Sequence, residues 1–110
     1  MRIAKAHIEW LIPKKEIPSI TRKNHDDWIY SPVIVFKNQY NKPIWNNNES
    51  MVPLWTCIVR NESIDDKKSI AEIKYLSENA PQELLIINAD FELFDGKRKV
   101  ANGTIIELVV

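Results

Sequence analysis

Glycine is scarce in this chain, with two in 110 residues; cysteine occurs once, and neither sign of charge predominates, since fifteen Lys and Arg stand against fifteen Asp and Glu. Each shortage excludes something. A single Cys57 leaves no internal disulfide to build. Balanced charge gives no overall field to gather polyanions such as nucleic acid or acidic lipid, although a local basic patch stays open. A nucleotide-binding loop needs a Gly-rich stretch closed by Lys and Ser or Thr, and no such run is present. The start Met1-Arg2-Ile3-Ala4-Lys5 lacks the apolar run of a signal peptide or membrane span, so the expectation is a cytoplasmic protein without a membrane role. On that expectation the Asn-x-Ser/Thr triplets at Asn48, Asn61 and Asn102 are not glycan acceptors.

What is present is material for one core. Hydrophobic residues make up 45% of the chain, including four Trp, three Tyr and three Phe, and a chain of this length is one domain, residues 1–110. From Arg2 to Ile12, Ala4, Ala6, Ile8, Trp10 and Ile12 share one parity and Lys5, His7 and Glu9 the other, the pattern of a half-buried strand. Pro13 ends it, and Lys14 to Asp27 has neither strand nor helix period and reads as a long loop. Trp28 to Phe36 is rich in β-branched and aromatic residues, with Pro32 marking a strand start, an edge or a bulge. Asn38 to Ser50 favours turns, with a short pairing at Ile44 and Trp45. Leu54 to Val59 resumes strand composition, and Arg60 to Lys68 reads as a polar connection. Ser69 to Ser77 alternates again; a helix over Ile70 to Leu85 is the alternative, interrupted by Asn79 and Pro81. Leu84 to Phe94 and Lys99 to Val109 are two further strand-like runs around Asp95-Gly96-Lys97-Arg98, a short hairpin connection. Six or so strands without a convincing helix imply an antiparallel sandwich or barrel. With so little glycine, Asn, Asp and Pro must carry most turns, and Gly103, inside a strand, marks a bulge or a close backbone approach.

The segment Phe91-Glu92-Leu93-Phe94-Asp95-Gly96-Lys97-Arg98-Lys99-Val100-Ala101-Asn102-Gly103-Thr104-Ile105 resembles the closing hairpin of the C-terminal β-barrel of elongation factor Tu. Ala4 to Leu11 is similar to that barrel's first strand, Tyr30 to Phe36 to the entry of its second, and Ala71-Glu72-Ile73 with Leu76-Ser77 falls at its penultimate strand. The resemblance implies an all-β fold, a single small antiparallel barrel of six or seven strands, of a kind found as stand-alone small bacterial proteins. It does not carry transfer-RNA binding over. The family's Gly-Gly-Arg segment in the first long loop is here Lys14-Lys15-Glu16-Ile17-Pro18, and the guanine-nucleotide domain is missing.

No residue set points to catalysis. Cys57, with His7 or His25 as bases, has no cysteine-hydrolase signature around it and reads as a small core residue. His25-Asp26-Asp27 lacks a second ligand cluster at metal spacing, so no metal or other cofactor is expected. Asp65-Asp66 beside Lys67-Lys68 reads as a solvated loop, and Glu72 and Glu92 as strand residues that face water or pair across the sheet. The four Trp, at positions 10, 28, 45 and 55, read chiefly as core. The candidate binding set is Lys14, Lys15, Arg22, Lys23, Trp28 and Tyr30, basic residues beside aromatics, a combination suited to single-stranded nucleic acid. Glu16, Asp26 and Asp27 dilute it. The expected function is therefore a non-catalytic protein-binding module that uses long loops on a rigid barrel, as an inhibitor or immunity-type protein or a translation accessory. RNA binding through the basic loop is the alternative.

Overall fold

The computed structural model describes residues 1–19, 30–37 and 54–109. They form six strands, β1 (Ala4–Trp10), β2 (Val33–Phe36), β3 (Trp55–Asp65), β4 (Lys68–Tyr75), β5 (Asp90–Asp95) and β6 (Arg98–Leu108), with two short 3-10 turns, η1 (Lys14–Glu16) and η2 (Gln82–Leu84). The strands close into a barrel in the order β1-β4-β3-β2-β5-β6, with every neighbouring pair antiparallel. Of the two all-β folds that the strand pattern left open, sandwich and barrel, the barrel forms. Tyr30 adds a single bridge to Val59 ahead of β2.

A six-stranded barrel is narrow, so its interior has room for large side chains only where a small one stands opposite. Trp10 pairs with Ala101, Ile8 with Gly103 and Ala6 with Ala71; Phe91 also pairs with Gly103. Alternation then decides the rest. Ala4, Ala6, Ile8 and Trp10 are buried while His7 and Glu9 are exposed, and Cys57, Val59, Ala71, Ile73, Tyr75, Leu93 and Ile105 complete the core. Gly103 marks a close approach. A Cβ there would meet the far edge of the buried Phe91 ring, nearer than real Cβ atoms come to a carbon. The bulges lie elsewhere, with register shifts between Lys5 and Ala6, Asn61 and Ser63, and Leu93 and Phe94.

Two short turns fix the hairpins. Asp65 pairs with Lys68 and Asp95 with Arg98, so each loop is two residues long, and its first residue, Asp66 or Gly96, has φ of 58° or 63°. A left-handed residue at that position belongs to the primed turns that match strand twist. The Arg60 to Lys68 connection inferred from polarity is therefore not a loop. β3 runs to Asp65 and β4 starts at Lys68, because on the outer wall of a barrel the ladder supplies the backbone bonds and charged side chains pair across it. Arg60 and Glu72 form such a pair, with side chains 12% and 11% exposed. Glu72 pairs across the sheet, as one reading had it, and does not face water. The strand inferred over Leu84 to Phe94 shortens likewise to Asp90–Asp95, since η2 and the turn after it take up its first part.

Candidate partner-binding face

The strand directions give the barrel two unlike ends. One end gathers the finish of β1, the start of β2, both two-residue turns and η1. The other gathers the start of β1, the finish of β2, the start of β3, the 76–89 connection with η2, and the finish of β6.

The first end is latched and polar. Trp10 and Leu11 donate their backbone N–H groups to the carbonyls of Lys67 and Val100. Lys14 Nζ lies 2.6 Å from Asp66 Oδ1, and Arg98 Nη1 lies 3.1 Å from Glu16 Oε1, so η1 is tied to both hairpin turns. Hydrogen bonding to Lys14, followed by its charge, holds the Asp66 carboxyl below its ordinary value, and Asp66 raises Lys14 in return. Beneath the latch runs a buried chain. Trp10 Nε1 donates to Ser69 Oγ (2.9 Å), Ser69 Oγ donates to Asn61 Oδ1 (2.8 Å), and Asn61 Nδ2 donates to the Pro18 carbonyl (2.8 Å). Each member has a partner, as buried polar groups require, and the loop after η1 is thereby pinned to the barrel floor with Ile17 packed on the core. Beside it opens a cleft of about 640 Å³ lined by Glu9, Trp10, Leu11 and Asp65 to Lys68.

This placement bears directly on the candidate set from the sequence. Lys14 and Lys15 are exposed, Lys14 in its pair with Asp66. Tyr30 is half-buried against the Trp10 ring, centroids 5.8 Å apart, and desolvation pushes its hydroxyl up to about 12. Arg22, Lys23 and Trp28 lie outside the described residues, as do His25, Asp26, Asp27, Ile44 and Trp45. Trp10 is core, as expected, and Trp55 packs partly buried against it.

The residues considered for chemistry stand apart. Cys57 is 1% exposed on the inner wall, and burial pushes its thiol well above the ordinary value. His7 sits on the outer wall in a shallow cleft of about 260 Å³ with Glu9, Lys37, Lys68, Asp90, Asn102 and Thr104, where Thr104 donates to Asp90 (2.7 Å). Among the described residues no group of three His, Cys, Asp or Glu is placed to hold a metal ion, and no helix is long and apolar enough to cross a membrane.

The second end has the opposite character. Nine large hydrophobic side chains are exposed among the described residues. Leu11 belongs to the latched end; the other eight belong to the second one. Met1, Leu54 and Leu76 flank the ends of β1, β3 and β4, Ile86 and Ile87 follow η2, and Ile106, Leu108 and Val109 finish β6. Backbone bonds hold these segments side by side: Asn88 donates to the Ile105 carbonyl, Ile105 to that of Ala89, and Val109 to that of Ile3. Arg2 secures the same corner, its guanidinium donating to the carbonyls of Gln82 (3.2 Å) and Leu85 (3.0 Å). Leu76 is 57% and Ile87 53% exposed.

The sequence held a signal for this surface that alternation hid. Leu85, Ile86 and Ile87 are consecutive, and neighbours in an extended chain cannot all face inward. Leu85 is buried and the other two are not. Ile106 follows the buried Ile105 and faces outward by the same alternation, while the bulge between the pairs Ala6–Ile105 and Lys5–Glu107 turns Glu107 outward beside it. Compared with known proteins, the chain matches no family model, no curated protein and no solved structure.

Proposed function

We propose that this barrel is a non-catalytic protein-binding module whose partner docks on the aliphatic end. The observation that carries the reading is the placement there of eight of the nine exposed large hydrophobics among the described residues. Scattered exposed aliphatics are normal, but a contiguous group marks an interaction surface. The elongation-factor-like reading of the barrel belongs to the same proposal. Its support is the closing hairpin and the closed six-stranded wall, and the roles that fit are those of an inhibitor, an immunity-type protein or a translation accessory.

The magnitudes suit a reversible partner. Full burial of an Ile or Leu is worth roughly 1.5–3 kcal/mol, so a side chain already half covered has about 1 kcal/mol left to gain. Eight such residues supply on the order of 8 kcal/mol, against association costs of roughly 4–15 kcal/mol. The aliphatic end alone thus supports weak association, and a specific complex needs polar contacts at the rim. The described part of the basic loop is a poorer surface for RNA. Lys14 is engaged by Asp66 and Glu16 by Arg98, so carboxylates stand among the cations where a polyanion needs cations to converge.

The test is affinity capture from the source lysate at low and raised salt, with and without nuclease, using the unaltered protein and an Ile87→Asp/Ile106→Asp variant. A defined protein that survives salt and nuclease and is lost with the variant supports the reading. RNA recovered equally by both proteins and released by salt refutes it and moves the site to the basic loop.

A further inference from the structure

Carboxylates are interleaved with the apolar residues of the docking end. Glu78 follows Leu76 by two positions, Glu83 lies in η2 ahead of Ile86, and Glu107 separates Ile106 from Leu108; all three are exposed. Glu83 is close enough for its charge to reach Tyr75 at the finish of β4. Among the described residues most cations of this end are engaged or partly covered, and Lys37 is exposed. Arg2 is spent on the two carbonyls of the η2 corner, Lys5 is 3.4 Å from Glu62, Lys74 is half-buried, and Lys37 shares the outer-wall cleft with Asp90. Among the described residues, the exposed charges interleaved along the chain with the aliphatic side chains of 76–87 and 106–109 are therefore these three carboxylates.

From this juxtaposition we infer that the occupant is a short amphipathic segment of another protein, its apolar side chains interspersed with Lys or Arg. The inference rests on the protein-binding reading and adds the partner's chemistry to it. A second copy of this chain is the poorer occupant. A two-fold contact sets the same patch against itself, so Glu78, Glu83 and Glu107 of one copy would face those of the other, and like charges brought together at an interface are repulsive. An acidic lipid surface is repelled in the same way. A cationic segment meets the carboxylates while its apolar residues cover the aliphatic ones, and apolar surface with complementary charge gives both affinity and selectivity.

Two fluorescently labelled synthetic peptides serve as probes, an amphipathic leucine–lysine sequence and the same sequence with glutamate for lysine, followed by anisotropy at low and raised salt. The unaltered protein is expected to bind the lysine peptide at least ~10-fold more tightly than the glutamate peptide, with the difference shrinking as salt screens it. In Glu78→Lys/Glu83→Lys/Glu107→Lys the preference should invert, and in the milder Glu78→Gln/Glu83→Gln/Glu107→Gln it should vanish. Circular dichroism confirms that both variants fold, and Ile87→Asp/Ile106→Asp should bind neither peptide. If that aliphatic variant loses binding while charge reversal leaves the preference unchanged, the partner's chemistry is wrong and the docking end stands. Sedimentation showing self-association of the unaltered protein that Ile87→Asp abolishes, or binding to phosphatidylserine vesicles, replaces the cationic segment with a second copy or a lipid surface and overturns the inference. Binding that the aliphatic variant retains overturns both readings.

Discussion

Gly103→Ala is a severe test of the barrel interior, because two opposing effects meet at one position. Removing a glycine restricts the unfolded chain and stabilises by about 0.4–1 kcal/mol where the native site accepts the new side chain. Here it does not. The added methyl would overlap the Cζ, Cε1 and Cε2 edge of Phe91, a ring with no exposed surface and with Phe36 packed against it at a centroid distance of 5.7 Å. The ring cannot yield without displacing its neighbour. Overpacking of this kind costs roughly 1–3 kcal/mol, which exceeds the entropic gain, so a net destabilisation of about 1–2 kcal/mol is expected. The steric cause makes a second demand. Phe91→Leu removes the atoms the methyl would strike and by itself costs about 1–3 kcal/mol for the lost core volume. With the collision relieved, the double variant should be less destabilised than the sum of the singles by about 1 kcal/mol or more. Urea unfolding followed by tryptophan fluorescence measures all three variants. A Gly103→Ala protein as stable as the parent, or additive effects in the cycle, would refute the account.

The other glycine separates backbone strain from packing. Gly96 has open space around it but φ of 63°, so Gly96→Ala should cost about 1–2 kcal/mol through the left-handed backbone alone and Gly96→Asn distinctly less, as denaturant midpoints would show. Ser69→Ala leaves Trp10 Nε1 and Asn61 Oδ1 facing each other without a hydroxyl between them, and thermal melts should register roughly 1–3 kcal/mol of lost stability. Because Lys14 holds the Asp66 pKa down, Lys14→Ala should raise it toward the ordinary carboxylate value in an NMR titration. The pair's contribution is present above the ordinary Asp value and lost as pH falls through the depressed one, so acid unfolding should begin at higher pH in the variant. Cys57 should resist alkylation in the native protein and react once it unfolds, since burial both shields the thiol and disfavours its thiolate.

Much of the barrel was legible because alternation is a strong signal wherever one face of a strand is wet. Residues 4 to 10 read correctly as a strand, and so did the hairpin around Gly96 and the buried place of Cys57. The signal failed where ladder bonds and pairing overrode polarity. Arg60, Glu62 and Asp65 looked like loop residues, yet they lie on the strand β3, where Arg60 meets Glu72 and Glu62 meets Lys5. The aliphatic end was missed for a related reason. Ile86 and Ile87 follow a 3-10 turn and obey no strand period, and Ile106 is an apolar residue on the outward parity of β6, so none of them takes the interior place that an apolar side chain suggests. The latch was half visible. Lys14, Lys15 and Glu16 stood out as charged, but that Lys14 meets Asp66 and Glu16 meets Arg98 depends on a closure that brings distant turns together.

The described connections at the two ends do different work. Two of the connections at the latched end are two-residue hairpin turns, which fix register and leave little freedom, and η1 is anchored to both of them by ion pairs and to the floor by the Asn61 bond to Pro18. Among the described residues, much of that end is taken up with its own closure. At the other end the 76–89 connection is longer than a turn needs, and part of it closes the barrel: Leu85 is buried and Arg2 pins the corner. The rest, Ile86 and Ile87, is followed by Asn88 and Ala89, whose backbone bonds to Ile105 tie the segment to β6, and the two exposed side chains gain nothing for the fold by being apolar. Polar residues at those positions would satisfy the backbone equally well and cost no exposed hydrocarbon. On the proposed reading, aliphatic side chains held where folding does not require them serve association, and the ordered backbone beneath them means a partner need not supply the entropy of arranging them.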